Sequence, residues 1–436
     1  MERHSDVLVI GGGVIGLASA YYLAKEGKQV RLLEQDTIGA GASYGNCGLI
    51  FTSHLVPLCA PGTIRHEIAR MLRKNSPLYI KPAADVSRFV WFLNFARKCS
   101  AGHLAHAVQA RAKLLQNSKK LFQRLFKDES IDCDWEQKGV LLVFKTKSEM
   151  QKYEQTNRRL KPFGLDAVSL IGADLLRIEP ALREDLYGAW FHKGDSHLRP
   201  DKLLPAWRQV LQNMGTVIEE HCRVTALAAS ERRIQKAQTT SGDYTADEYV
   251  LAAGAWTPQM TRRLKLKIPV QAGKGYSLTM TRPPLCPQIP CYFYEKSVVA
   301  TPWKSGFRLG GTMEFSGFNS KIVARRIQNL TSAAGEYLKE PMGKTVIEEW
   351  AGMRPMVYDD LPIIDRAPGQ HNLVIATGHG MSGISMATST GKLVAEIITG
   401  RRPHIDPSAF GINRFLRQLV HPGKANRKTV PCNTGQ

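Results

Sequence analysis

Short unbroken apolar runs occur near both ends of the chain, and glycines cut each of them. Val7-Leu8-Val9-Ile10 leads into Gly11, Gly13 and Gly16, and Leu373-Val374-Ile375-Ala376-Thr377 leads into Gly378, Gly380 and Gly383. Each run predicts a buried strand, a tight turn and a helix folded back on the strand. The helices are expected over Val14 to Glu26 and Met381 to Ile398, with a second strand over Gln29 to Leu33 ending at Glu34. Between the two ends, Lys113 to Lys127, Pro200 to Met214 and residues 320–340 read as helical. The first half of 61–190 is also mostly helical, broken at Pro77 to Pro82. Val140 to Lys145 and Thr216 to Leu227 read as strands, and Ile234 to Thr240 and Thr245 to Ala252 alternate around Ser241-Gly242-Asp243 as a small meander. Gly275 to Met280, Ser297 to Thr301 and Phe307 to Gly311 are further short β runs.

The glycine turns carry chemistry. Gly11 permits the tight turn, Gly13 lets backbone approach a pyrophosphate, and Gly16 lets the helix lie close to the sheet. Val14 and Ile15 open that helix, whose N–H groups and positive dipole end face the phosphates. Glu34, with Gln35 beside it, stands where an acid meets a ribose hydroxyl. Two such turns about 365 residues apart imply that both chain ends return to one dinucleotide. The cofactor inferred is FAD. The loop Gly39-Ala40-Gly41-Ala42-Ser43-Tyr44-Gly45-Asn46-Cys47-Gly48 is small and polar enough to cross close over a flat ring. Ala253 and Gly254 end a strand at another tight turn. The expected class is α/β (α+β overall), a Rossmann-like FAD-binding domain interleaved with a β-sheet-plus-helices substrate domain. The FAD-binding domain is assigned to 1–60, 190–270 and 345–410, the substrate domain to 61–189 and 271–344, and a basic tail to 411–436.

Composition narrows the setting. The 436 residues carry a net charge of +21, with eight basic and no acidic residues from Arg97 to Lys127. A positive surface suits an anionic membrane, an acidic substrate or nucleic acid, or is simply a solvated basic face. Val86 to Ala96 (VSRFVWFLNFA) adds an apolar aromatic segment that fits core packing, an oligomer interface or a membrane contact. No secretory leader is visible, and Val7 to Ala24 is explained by the nucleotide turn rather than as a span. The eight cysteines form no C-x-x-C pair and lack zinc-like spacing, which fits reduced thiols in a cytoplasmic protein with no metal.

Four segments, VLVIGGGVIGLASAYYLA, GASYGNCGLI, WAGMRPMVYDDLPIID and ATGHGMSGISMATSTGKLVAEIITG, resemble the D-amino acid oxidase-like superfamily of FAD enzymes, nearest the bacterial D-amino acid dehydrogenases. APGTIRHEIARMLRKNSPLYIKP resembles the dehydrogenase branch as well. The resemblance implies oxidation of an amino acid by hydride transfer to flavin N5, hydrolysis to a 2-oxo acid and ammonia, and a quinone or other acceptor. It implies a substrate carboxylate on Arg354, a hydroxyl from Tyr276 near the same group, and His379 at the flavin edge. A structural ion pair of Arg354 with Asp359 or Asp360, and a packed core tyrosine at 276, are the plainer alternatives. The implied cofactor contacts are completed by Ala42, Ser43, Asn46, Gly48, Val224, Ala253, Gly254, Gly378, Gly380, Met381, Ser382 and Gly383. The loop lacks the histidine of covalent-flavin relatives, so FAD is expected to be non-covalent. Met381 and Ser382 depart from the arginine that glycine oxidase carries in this turn. Alternatives are an imino acid or glycine oxidising enzyme, a partner-dependent subunit of a hetero-oligomer, and a flavin enzyme acting on modified tRNA. Membrane association would be peripheral, on the inner face of the plasma membrane.

Overall fold

The computed structural model describes residues 3–65, 76–82 and 85–416. In chain order, the elements that build the site are β1 (His4–Ile10), α1 (Val14–Lys25), β2 (Val30–Leu33), β3 (Leu78–Ile80), α2 (Val86–Lys98), α3 (Ala101–Asp128), β4 (Gly242–Leu251), β5 (Val270–Met280), β6 (Gly306–Phe315), β7 (Val346–Val357), β8 (Leu373–Thr377) and α4 (Gly383–Thr399).

The unbroken apolar runs become strands covered on both faces, as parallel pairing requires. β1 lies between β2 and β4 and is parallel to both. β4 is long enough to pair twice along one edge. Its start continues the meander against Arg233–Thr239, and its end runs parallel to β8. The two glycine turns therefore leave one sheet with a single strand between them. Their helices also meet: a methyl at Gly391 of α4 would lie 2.4 Å from the Ala18 carbonyl carbon of α1.

Among the described residues the second sheet has nine strands. β5 is its pivot, antiparallel to β6 on one side and to β7 on the other. β6 and β5 lose register between Lys274 and Tyr276. At that bulge Thr312 adopts φ 62°, a left-handed value unusual for a β-branched residue.

Three local readings change. Thr216 to Leu227 is two strands, Val217–Glu219 on β2 and Val224–Ser230 in the meander. His221 between them turns left-handed, at φ 56°. The proline-bounded stretch near residue 80 holds β3, which joins β6 in parallel. The basic run from Arg97 to Lys127 lies mostly on α3 and is not uniformly solvated, because Arg111 is only 2% exposed. Seven cysteines are free thiols. Residues 66–75 of the dehydrogenase-like segment and 417–436 of the basic tail, with Cys432, lie outside the described residues.

Candidate active site

A cavity of about 1120 Å³ is bordered by the β1–α1 turn, the end of β2, the 39–48 loop, β7, the turn before α4, and α2. The first turn has the shape a pyrophosphate needs. A methyl at Gly16 would fall 1.8 Å from the Gly11 carbonyl oxygen, so only glycine lets α1 pack there. At Gly13 the space is open, with Ser43 Oγ the nearest atom at 3.4 Å. That opening is a cradle that a side chain would fill. Ser43 Oγ accepts the Val14 N–H at 3.0 Å, which leaves the hydroxyl hydrogen for a ligand. Glu34 accepts the Gly12 N–H at 2.6 Å and the Asp36 N–H at 3.0 Å. Burial pushes its carboxyl up while those N–H groups oppose the shift. The residues fit an FAD from ribose to ring.

Gly11, Gly13, Val14, Ile15, Glu34, Gln35, Ala42, Ser43, Asn46, Val224, Ala253, Gly254, Gly380, Met381, Ser382 and Gly383 all border this cavity. Gly16, Gly48 and Gly378 stand back from its wall. Gly16 serves helix packing. A methyl at Gly48 would strike the Leu198 carbonyl oxygen at 1.9 Å, and one at Gly378 would strike Val357 at 2.4 Å.

The 39–48 loop is pinned from the second sheet. Arg308 of β6 is fully buried and donates to the carbonyls of Tyr44 and Asn46, each at 2.8 Å. It also reaches Thr279 Oγ1 at 2.8 Å and lies over the Trp303 ring. Trp350 fills the slot between sheet and loop: methyls at Gly45 and Gly352 would meet its indole at 2.1 and 2.0 Å. Cys47 lies beside Gly310, and burial pushes its thiol up to about 11. A protonated thiol is a poor nucleophile toward a flavin.

Arg354 opens on the cavity from deep in β7. It donates to the Thr312 carbonyl at 2.7 Å and the Gly311 carbonyl at 3.4 Å, both at the bulge. The strained Thr312 backbone thus turns two carbonyls onto one guanidinium. Gly275 makes room, since a methyl there would lie 2.1 Å from Cζ. Among the described residues no carboxylate pairs with Arg354. Asp359 instead binds Arg414 at 2.8 Å, and Asp360 binds Arg111 at 3.1 Å. A half-buried guanidinium with free donors and no counter-ion among the described residues is a ready carboxylate site.

Tyr276 also borders the cavity. Gly275 pairs with Gly352 and shares the Arg354 face, whereas Tyr276 pairs with Ala351 and points the other way. It belongs to the same buried apolar cluster as Leu278 and Leu330, and its hydroxyl donates to Glu314 at 3.0 Å. That hydroxyl is not free for a substrate carboxylate. His379 borders the cavity, is buried, and shares a hydrogen bond with Thr390 Oγ1 at 3.0 Å. Burial pushes its pKa down to about 3, so the ring is neutral.

One network escaped the sequence. Arg111 of α3 reaches the Asp360 carboxylate, the His54 carbonyl at 3.0 Å and Ser382 Oγ at 3.3 Å. It ties α3 to the turn that starts α4. Its signal was positional: Leu104, Val108, Arg111, Leu115 and Ser118 follow one buried helical stripe.

The DAO family model, FAD dependent oxidoreductase, matches residues 6–397. The D-amino acid dehydrogenase of Vibrio atlanticus is 30% identical over 429 residues, covering 94% of this chain and 100% of that protein. The D-amino acid dehydrogenase of Allorhizobium ampelinum is 28% identical over 421 residues, covering 95% and 99%. Glycine oxidase from Geobacillus kaustophilus superposes with a TM-score of 0.74 at 23% identity, covering 94% of this chain and 99% of that one. L-proline dehydrogenase from P. horikoshii superposes at 0.72 with 18% identity, covering 96% and 99%. The match across nearly the whole chain agrees with a cavity already shaped for a dinucleotide, and the chain belongs to the DAO family of FAD-dependent oxidoreductases.

Proposed function

We propose that the protein is an FAD-dependent D-amino acid dehydrogenase that binds its substrate carboxylate on Arg354. The observation that carries this reading is a half-buried guanidinium, free of any carboxylate partner among the described residues, opening on the cavity that takes FAD. The relatives named D-amino acid dehydrogenase support the substrate class and its stereochemistry. When bound, FAD supplies the two-electron acceptor for the hydride that leaves the α-carbon. The chain supplies position. Two parallel hydrogen bonds from Arg354 fix the carboxylate and hence the α-hydrogen. His54 and His379 stay neutral, both held near 3 by burial, so neither adds a positive charge to the site. With no charged base required, the amine enters neutral, and water completes hydrolysis of the imino acid to a 2-oxo acid and ammonia. The α4 N-terminus borders the cavity with its positive dipole end, which favours negative charge on a reduced ring.

The acceptor in this reading is a quinone reached from an anionic membrane surface. α2 supports it. Val86, Phe89, Val90 and Leu93 are exposed, while Trp91, Phe92 and Phe95 border the cavity on the inner side, and Arg97 and Lys98 close the helix. A helix apolar on both faces with a basic end suits an interfacial position. Among the described residues no helix is long and apolar enough to cross a membrane.

The test is anaerobic. The holoprotein is mixed with D- and L-amino acids, prolines and N-methyl glycines while the flavin band is followed. Rapid bleaching by D-amino acids, reoxidation by a quinone analogue and slow reoxidation by air are expected. Arg354→Ala should raise the apparent KM on the order of 100-fold or more. Bleaching confined to prolines or glycines, or unchanged affinity in Arg354→Ala, would overturn the assignment.

A further inference from the structure

We propose that the substrate side chain lies in an apolar channel running from Arg354 to α2, which selects amino acids with long aliphatic, thioether or aromatic side chains. The inference rests on Arg354 as the carboxylate anchor. Along β7 only one direction from Arg354 is open. Toward Gly352 the face is filled by the Trp350 indole, 2.0 Å from where a Gly352 methyl would sit. In the other direction Met356 follows on the same face. A methyl on Gly273, the β5 partner of Arg354, would meet Met356 Cγ and Met313 Sδ, each at 2.7 Å. Two thioethers therefore flank the anchor. Phe315 stands two residues beyond Met313 on β6, and its ring lies 5.1 Å from Phe92 and 5.7 Å from Trp91 of α2. Met356, Met313, Phe315, Phe92 and Trp91 all border the cavity that Arg354 opens on.

The channel offers nothing to a charged side chain. The ionisable groups nearest it are already satisfied or neutral: Asp360 by Arg111 and the Leu58 N–H, Arg88 of α2 by the Phe315 carbonyl, and His379 by Thr390. His54 is hydrogen-bonded to Arg111 and stacked on Phe51. An acidic or basic side chain would be desolvated without a partner. Methionine walls adapt to straight, branched and planar apolar groups alike, which favours breadth within the class.

The test uses holoenzyme and ligands that cannot react. Straight-chain carboxylates from acetate to hexanoate, then 3-phenylpropanoate and glutarate, are titrated by calorimetry and by perturbation of the flavin band. Affinity should rise about fourfold per added methylene, with 3-phenylpropanoate bound tightly and glutarate at least tenfold weaker than pentanoate. Met313→Gln should flatten that slope while acetate binding stays within twofold. Arg354→Ala should weaken every carboxylate by a similar factor and keep the slope. Equal or falling affinity with chain length, with acetate still bound, would overturn the channel and leave the anchor standing. No carboxylate binding at all would overturn the anchor, and the channel with it.

Discussion

Gly275→Ala isolates the geometry of the carboxylate site with one carbon atom. An added methyl would lie 2.1 Å from Cζ and Nη1 of Arg354 and 2.2 Å from Nη2. Ordinary contact begins near 3.4 Å, so the guanidinium must move by more than an ångström. Gly275 is not among the glycines with positive φ, so alanine fits the strand backbone there. The displaced guanidinium loses its seat on the Thr312 and Gly311 carbonyls and its aim into the cavity. A hydrogen bond to a charged group is worth about 1.5–3 kcal/mol, and losing the alignment of one such bond predicts a KM increase on the order of 10- to 100-fold. FAD content and thermal unfolding should stay near wild type, because the cradle lies elsewhere. The assay is steady-state kinetics beside direct titration of a non-reacting carboxylate. In an Arg354→Ala background the same methyl should do nothing further, since both changes act through one group. Unchanged carboxylate affinity in Gly275→Ala, or a full additional loss in the double variant, would refute the reasoning.

Arg308→Ala should loosen the 39–48 loop. It strands the Tyr44 and Asn46 carbonyls, so FAD should dissociate at least tenfold faster and stability fall by about 3 kcal/mol, read by flavin fluorescence and urea unfolding. His54 and His379 have pKa values near 3 in the fold against 6.5 as the ordinary value. The unfolded chain therefore binds more protons between those values. Their contribution is fully present above pH 6.5 and is lost as pH falls toward 3, so urea midpoints should drop between pH 8 and pH 5 and His379→Gln should make that drop shallower. The Cys47 thiol is pushed up to about 11, so acid precipitation should release all flavin into the supernatant, and flavin retained on the pellet would contradict a non-covalent site.

What the sequence reveals about this fold depends on range. The glycine turns are legible because strand, turn and helix follow one another within a few residues, and the rule at Gly16 is a clash with Gly11 in the same turn. Arg354 stands out for a similar reason, in a short motif bounded by Gly352 and Pro355. The facing of Tyr276 is not legible in the same way, because it depends on pairing with Ala351, and pairing between distant strands is not written in either strand alone. The bulge at Thr312 is equally hidden, since nothing local warns that a β-branched residue will turn left-handed. The Trp350 slot needs two glycines some three hundred residues apart, Gly45 and Gly352, each innocuous by itself. Arg111 lay inside a charge run that invited a surface reading, although its phase on α3 was apolar.

The sharing of one sheet by β1 and β8 has a consequence for how the chain is made. Synthesis delivers the Gly11 turn more than 350 residues before β8, and the edge of β4 that β8 takes stays bare for that interval. Until β8 docks there and α4 crosses α1, the nucleotide site has one wall. Capture of FAD is then the closing event of maturation, not a seed for it. Any product cut short before α4 forfeits cofactor and sheet edge together. Yellow colour in a preparation therefore reports chains read through β8 and α4.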